Sequence, residues 1–136
     1  MEDKTIHSCL IITPFSDQFR SIRQRIAEAL HERGIEPILL EQQVKVGASF
    51  VETIHDAIEQ VDFIIADLTE SNPNVMYELG YAHGLGKPVL IIVQEEVSNV
   101  PSDLSGRLYL VYDRTKLNEL AEQIQMWTRR LTFVAA

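Results

Sequence analysis

Apolar residues along this chain alternate between short continuous runs and stretches at helical spacing, a pattern typical of successive β-α units. The continuous runs predict five strands, at Ser8–Thr13, Ile35–Leu40, Val61–Leu68, Val89–Val93 and Arg107–Tyr112. The periodic stretches predict four helices, with their apolar positions within 19–30, 50–61, 73–85 and 117–131. The pattern therefore predicts an α/β fold.

Turn and capping residues separate these elements. Gly34 is the predicted C-cap of the first helix. Ser49 and Glu52 form a capping box at the start of the second helix. The sequence Gly-Lys-Pro at 86–88 is a stop signal after the third helix.

The order of the elements predicts the topology. Because β-α-β crossovers are right-handed, we expect a flavodoxin-like, doubly wound sandwich with a five-stranded parallel sheet in the order 2-1-3-4-5. In such a sheet, ligands bind at the carboxyl ends of strands 1 and 3. The loops after Thr13 and Ala66 are therefore the predicted binding loops.

Length and composition are those of one globular domain. Of the 136 residues, 46% are hydrophobic and 24% are charged, so a single domain over 1–136 is expected. The formal net charge is −8, from 12 Lys and Arg against 20 Asp and Glu. This charge argues against nucleic acid and anionic membranes as partners.

The sequence predicts a cytoplasmic protein. The longest apolar run, Val89–Val93, is far shorter than the ~20 residues that cross a bilayer. Residues 1–4, Met-Glu-Asp-Lys, have neither the basic start nor the apolar stretch of a secretory signal. Cys9 lies in an apolar run and is predicted to be a small buried residue rather than a nucleophile.

Several ligand-binding motifs are incomplete. The glycine-rich sequence at 80–87 follows a helix, and Pro88 stands where a phosphate-binding loop needs Ser or Thr. No G-x-G-x-x-G follows the first strand, which argues against a hydride-transfer enzyme. The histidines at 7, 31, 55 and 83 lack the spacing of metal ligands, so no metal site is predicted.

The third helix carries almost no charge. Between Pro73 and Gly86, Glu78 is the only charged side chain when His83 is neutral. A helix on the surface of an α/β domain normally has a charged outer stripe. Since the helix starts at the carboxyl edge of the sheet, Glu78 is a candidate catalytic carboxylate at the crevice. A carboxylate held by a neighbouring N–H or Arg is the structural alternative.

Helix geometry places Glu78 about 80° to the side of the core-facing stripe. Asn74 and Tyr81 flank Glu78 and are candidate substrate-binding residues. The predicted core-facing stripe consists of Val75, Leu79 and Ala82.

The opposite side of this helix is a candidate interface. Gly80 and Gly84 are four residues apart and leave Tyr77 and the backbone open to another helix. A homo-oligomer through helix 73–86 would explain the missing charges. The alternative is a glycine pair used for local packing or for ending the helix.

The sequence resembles a known superfamily. The motifs are Ile-Thr-Pro-Phe-Ser-Asp at 12–17, Ile-Ile-Ala-Asp-Leu-Thr at 64–69, Asn-Pro-Asn-Val at 72–75 and Tyr-Glu-Leu-Gly-Tyr-Ala-His-Gly-Leu-Gly-Lys-Pro-Val at 77–89. They resemble the nucleoside 2-deoxyribosyltransferase-like group and the bacterial TIR-like (Toll/interleukin-1 receptor-like) nucleotide-binding domains. The resemblance is clearest from Ile11 to Ile92.

The resemblance implies a role for Glu78, which matches the glutamate that attacks or stabilises the anomeric carbon of an N-ribosyl group. Nicotinamide would leave as a neutral molecule and need no general acid. A neutral purine or pyrimidine would need a proton, and Asp67 is the nearby acid that could supply it. The alternative for Asp67 is an Asx-type turn below Thr69 and Ser71.

The first loop supplies the other predicted half of the crevice. Thr13, Pro14, Phe15 and Ser16 lead into a helix whose N-terminal N–H groups can hold a phosphate. Ser16 would cap that helix and Phe15 would stack on a base, or Phe15 would fill the core. The resemblance also assigns, loosely, an acidic position to Glu41, and Lys45 could meet a phosphate.

These observations predict an N-glycosidase or N-ribosyl transfer domain that acts on a nucleotide, with NAD⁺ as the expected substrate and no cofactor. One alternative is a non-catalytic nucleotide-sensing or TIR-like assembly module. Another is a nucleoside 2-deoxyribosyltransferase. The expected partners are a nucleotide or nucleoside and further copies of the chain.

Overall fold

The computed structural model describes residues 8–40, 47, 49–70, 73–95 and 109–135. The strands within these residues are β1 (Ser8–Ile12), β2 (Glu36–Leu39), β3 (Phe63–Asp67), β4 (Val89–Gln94) and β5 (Leu110–Tyr112). The α-helices within them are α1 (Arg20–Glu32), α2 (Phe50–Gln60), α3 (Pro73–Gly84) and α4 (Leu117–Ala135). A single 3-10 turn at Asp17–Phe19 precedes α1.

The sheet confirms the predicted topology. The five strands are parallel and lie in the order β2-β1-β3-β4-β5. Ile12 is in register with Ala66, so β1 and β3 end side by side. The two predicted binding loops therefore leave the sheet next to each other.

The core lies on both faces of the sheet, as expected for a doubly wound fold. Because side chains alternate along a strand, Leu10 and Ile12 face one layer, whereas Cys9 and Ile11 face the other. The first layer is closed by α2 and α3, and the second layer by α1 and α4. The predicted stripe of α3 is confirmed, since its three residues are buried in the first layer: Val75, Leu79 and Ala82.

The predicted helix caps are present, and the observed strand ends differ slightly from the predicted ones. Gly34 and Gly86 both have φ of 75°, a conformation that favours glycine after a helix. Ser49 Oγ accepts a hydrogen bond from the Glu52 N–H at 3.4 Å, as half of a capping box requires. The third strand begins at Phe63 because Val61 is the extended C-cap residue of α2. Of the predicted fifth strand, residues 107 and 108 lie outside the described residues.

Two further predictions concern the burial of Cys9 and the length of apolar helices. Cys9 is fully buried in β1, and its burial raises the pKa of the thiol well above the usual value, as expected for a packing residue. Among the described residues, no helix combines the length and the apolar character needed to cross a bilayer.

Candidate functional site

The crevice lies where the chain switches from one face of the sheet to the other. β1 and β3 are neighbours, but α1 follows β1 on one face and α3 follows β3 on the opposite face. Such a switch point leaves a crevice at the carboxyl ends of the two strands. Residues 13–16 and 68–70 lie directly after these ends, and Asp67 is the last residue of β3.

Glu78 is a buried carboxylate in the second turn of α3. The residue is 1% exposed, although it lies beside the apolar stripe rather than within it. Its Oε2 is 3.2 Å from Nδ1 of His55, which projects from α2. The structural alternative was a carboxylate held by a neighbouring N–H or an arginine, and a ring nitrogen of His55 occupies the place of such an N–H.

His55 joins Glu78 to a small polar cluster between α2 and α3. Its Nε2 is 2.9 Å from Oε1 of Glu59, one turn later on α2. Its ring stacks on Tyr81 with a centroid distance of 4.2 Å and an interplanar angle of 21°. Sequence reasoning missed His55 as a partner, although His55 and Glu59 have the four-residue spacing of neighbours on one helix face.

Tyr81 closes this cluster from the α3 side. Its hydroxyl donates a hydrogen bond to Oε1 of Glu59 at 3.2 Å. Desolvation, followed by the negative charges of Glu59 and Glu78, raises the pKa of Tyr81, so its hydroxyl stays protonated and donates. The structure thus brings Tyr81 and Glu78 together, as the sequence predicted, but through His55.

Asp67 lies at the end of β3 in a separate network. Its Oδ1 accepts hydrogen bonds from the N–H of Thr69, at 2.9 Å, and from the Thr69 hydroxyl. Its Oδ2 accepts a hydrogen bond from the hydroxyl of Tyr112 on β5. The Asx-type turn with Thr69, the alternative use of Asp67, is therefore present. Burial raises the pKa of Asp67, and the hydrogen bonds from Thr69 and Tyr112 oppose that shift.

The first loop is held from behind by Arg23, which sequence reasoning also missed. The Arg23 side chain is buried and donates hydrogen bonds to Thr13 Oγ1 at 3.2 Å and to the Pro14 carbonyl at 2.8 Å. Phe15 is 49% exposed, so it does not fill the core. The missed signal was a basic residue one turn into a helix that follows a predicted binding loop.

Ser16 is the N-cap of the 3-10 turn rather than of the long helix. Its side chain makes no capping hydrogen bond, and its carbonyl accepts from the N–H of Phe19 at 3.0 Å. The tight turn closes through the backbone, and therefore does not need the Ser16 hydroxyl.

An open cavity of about 330 Å³ lies in front of this loop. Arg20, which pairs with Asp17, and the exposed ring of Phe15 face it, so it offers a guanidinium group together with a stacking surface. The lining residues are Phe15, Asp17, Arg20, Arg23 and Gln24.

Three candidate residues lie wholly or partly outside the described residues. Glu41 and Lys45 lie outside the described residues. Asn74 lies in the first turn of α3, one turn before Glu78, and its side chain is outside the described part.

Among the described residues, no hydrogen bond joins the Glu78 cluster to the Asp67 network.

The outer side of α3 is open, as the sequence suggested. Tyr77 is 75% exposed. A Cβ added at Gly80 or Gly84 would meet no described atom within 4 Å, so neither glycine is explained by close packing inside the described part of the chain. Nor do three His, Cys, Asp or Glu side chains of the described ranges come together as a metal site.

The chain is a doubly wound α/β domain with a crevice at the β1–β3 switch point. Residues 15–114 match the family described as "CAP12/Pycsar effector protein, TIR domain". Since that match covers more than half of the sequence, the chain belongs to this family.

A curated relative gives no activity. The chain is 28% identical over 120 residues to the uncharacterized protein YuaY of Escherichia coli strain K12. The match covers 72% of this chain and 40% of YuaY, so the chain spans less than half the length of that relative.

Solved structures of both kinds of protein named in the sequence resemblance share this fold. The TIR domain of the Toll-related receptor TRR-2 from Hydra magnipapillata has a TM-score of 0.66 at 21% identity, covering 90% of this chain and 97% of that one. The CMP N-glycosidase BcmB of Clostridium botulinum has a TM-score of 0.58 at 19% identity, covering 88% and 98%. A 2-deoxyribosyltransferase from Bacillus psychrosaccharolyticus has a TM-score of 0.60 at 16% identity, covering 84% and 90%. At these identities, the likeness is one of fold.

Proposed function

We propose that this chain is an N-glycosidase or N-ribosyl transfer domain that cleaves the C1′–N bond of a nucleotide, with NAD⁺ as the substrate and Glu78 as the catalytic carboxylate. The observation that carries the proposal is the carboxylate of Glu78, which is buried in the second turn of the helix that follows β3 and has one oxygen 3.2 Å from Nδ1 of His55. The fold is shared with proteins named as an N-glycosidase and a deoxyribosyltransferase, which supports this class of chemistry.

One carboxylate is sufficient for this reaction. When the C1′–N bond breaks, its electron pair leaves with the base and positive charge develops on C1′ and the ring oxygen. A carboxylate at ~3 Å stabilises that charge or forms a bond to C1′. Water then supplies its oxygen to C1′ and releases a proton. With NAD⁺, the products are nicotinamide, ADP-ribose and that proton.

Asp67 has a second role in the proposal when the leaving base is neutral. Such a base needs a proton on departure, and burial keeps the pKa of Asp67 above its usual range. Nicotinamide leaves a cationic nucleotide and needs none. Replacing Asp67 with Asn should therefore slow the release of purines or pyrimidines more than the release of nicotinamide.

The cavity beside the first loop supports a substrate that carries phosphate. Arg20 faces the cavity with a largely exposed side chain, and guanidinium groups bind phosphate through paired hydrogen bonds, whereas Arg23 is buried and holds the loop. Phe15 is exposed at the same cavity and offers a ring on which a base can stack. We assign Thr13, Pro14, Phe15 and Ser16 to this part of the substrate site.

The substitution Glu78→Gln tests the proposal because it keeps the shape and removes the charge. Each protein is incubated, at high concentration, with NAD⁺, nucleoside monophosphates and deoxynucleosides, and released bases are separated by chromatography. We expect the variant to lose at least ~10²-fold in rate. The matched control is Glu122→Gln, an exposed position on α4. A Glu78→Gln protein with the full rate contradicts the assignment.

The same experiment separates the other candidate functions. A chain that binds nucleotide and leaves every substrate intact is a nucleotide-sensing or assembly module. Product that forms only after a second base is added identifies a deoxyribosyltransferase.

The open side of α3 also supports self-association. Tyr77 is exposed there, and Gly80 lets another backbone approach closely. Sedimentation over a range of concentrations measures this directly, with Tyr77→Glu as the disrupting variant.

A further inference from the structure

His55 has a contact on each side of its imidazole ring. Nδ1 lies 3.2 Å from Oε2 of Glu78, and Nε2 lies 2.9 Å from Oε1 of Glu59. The ring plane stacks on Tyr81. His55 and Glu59 are on α2, whereas Glu78 and Tyr81 are on α3, so the ring links the two helices.

The two contacts define the protonation of the ring that satisfies them. An ionised carboxylate only accepts hydrogen bonds, and a neutral imidazole has one N–H. Both contacts are therefore hydrogen bonds to ionised carboxylates only when both ring nitrogens carry hydrogen. The carboxylate of Glu78 is buried, and its contact with Nδ1 supplies the hydrogen-bonding partner that a buried carboxylate needs.

The neighbours of His55 fix the direction in which Nδ1 points. Glu59 holds the far nitrogen, and the hydroxyl of Tyr81 donates to the same Glu59 oxygen at 3.2 Å. Because Tyr81 also stacks on the ring, rotation of the imidazole would break the stacking and both hydrogen bonds. The ring is thus oriented before any substrate binds.

We propose that His55 is the positioning residue for Glu78: Nδ1 holds Oε2, so that Oε1 is presented to the anomeric carbon of the substrate. Among the described residues, His55 is the one hydrogen-bond partner of this carboxylate, and its contact is with Oε2 and not with Oε1. This inference rests on the proposed function of Glu78.

A positioning residue matters here because the glutamate side chain is long and flexible. Free rotation would move the attacking oxygen away from C1′, and a displacement of ~1 Å can reduce a rate by about 10²-fold. Holding one oxygen removes this freedom without using the other. The substrate-binding loop at 13–16 is separate, so the loss of His55 should change kcat rather than KM.

Two isosteric substitutions test the direction of the contact. The amide of Asn lies near the place of Nδ1, so His55→Asn keeps a donor toward Glu78. The longer Gln places its amide near Nε2, so His55→Gln keeps only the contact toward Glu59. We expect His55→Gln to lower kcat by about 10- to 100-fold with KM within ~3-fold, and His55→Asn to restore most of kcat.

His31→Gln is the matched control, because His31 is exposed on α1 in the other helical layer. Equal kcat for wild type, His55→Gln and His31→Gln overturns the positioning role and leaves the proposed function intact. Full activity of Glu78→Gln, or a wild-type chain that releases no base, overturns the proposed function and this role together.

A second variant serves if His55→Gln does not fold. The side chain of His55 is 39% exposed, so added imidazole can enter the space left by His55→Ala. We expect saturable recovery of kcat with imidazole, while the thermal midpoint of unfolding changes little. A folded His55→Ala protein that imidazole does not reactivate overturns the proposal.

Discussion

The hydroxyl of Tyr112 donates a hydrogen bond to Oδ2 of Asp67 across the ends of two strands that are separated by β4. The two residues are 45 positions apart in the sequence. Burial, and then the charge and the hydrogen bond of Asp67, raise the pKa of Tyr112, so its hydroxyl keeps its proton and acts as the donor. This contact connects β5 to the carboxyl edge of β3.

Replacing Tyr112 with Phe should therefore destabilise the fold. The substitution removes the donor and leaves Oδ2 of a buried carboxylate without it, which costs about 1–3 kcal/mol. The measurement is the free energy of unfolding in urea. Tyr77→Phe removes a hydroxyl from a 75% exposed ring and should change that free energy by less than ~0.5 kcal/mol. Equal stability of both variants would show that the Tyr112 hydroxyl contributes nothing.

Asp67 should make stability fall as pH rises. Burial raises its pKa in the folded chain above the usual 3.8, so the folded state binds more protons than the unfolded state just above that pH. The contribution of Asp67 is then fully present below 3.8 and is lost as pH rises through the folded pKa.

Asp67→Asn removes this titration and keeps the shape of the side chain. The free energy of unfolding of the wild type minus that of Asp67→Asn should decrease as pH rises from about 4 upward. Urea titrations at several pH values measure the difference. A difference that stays constant or increases with pH would contradict the raised pKa.

Lys87 is predicted to stabilise the end of α2. Its Nζ donates to three carbonyl oxygens, of Ile58 at 2.6 Å, Glu59 at 2.7 Å and Val61 at 2.8 Å. These carbonyls carry the negative end of the helix dipole. Lys87→Met should lower the free energy of unfolding by about 2 kcal/mol. Lys116→Met, at an exposed position before α4, is the control and should change it by less than ~0.5 kcal/mol.

Arg20 should contribute to the binding of phosphate-bearing substrates. It faces the cavity of the first loop and pairs with Asp17 at 3.1 Å, with both side chains largely exposed. Arg20→Met should raise KM for NAD⁺ by about 10-fold with little loss of stability. The KM of a nucleoside without phosphate should stay unchanged.

Asp17→Asn provides the opposite test, since it releases Arg20 from its ion pair. This variant should bind NAD⁺ at least as tightly as the wild type. A rise in KM for the phosphate-free nucleoside in Arg20→Met would instead indicate that Arg20 acts by shaping the loop.

The sequence by itself determined the architecture. Continuous apolar runs and helical spacing are local properties, and right-handed crossovers restrict how the resulting elements assemble. The strand order, the buried stripe of α3 and the helix stops at Gly34 and Gly86 followed from these patterns. The motifs at 12–17, 64–69, 72–75 and 77–89 together indicated a TIR-like domain, the family that the matching family model shows.

Only the tertiary structure decided which polar side chains meet. His55 reaches Glu78 from 23 residues away, and Arg23 reaches back ten residues to Thr13. The sequence carries a local signal for each residue, but neither signal names the distant partner, because the contacts depend on how two packed elements place their side chains. The physical reason is burial, because a carboxylate that is removed from water needs a hydrogen-bonding partner. The fold, rather than the local sequence, determines which side chain is close enough to provide it.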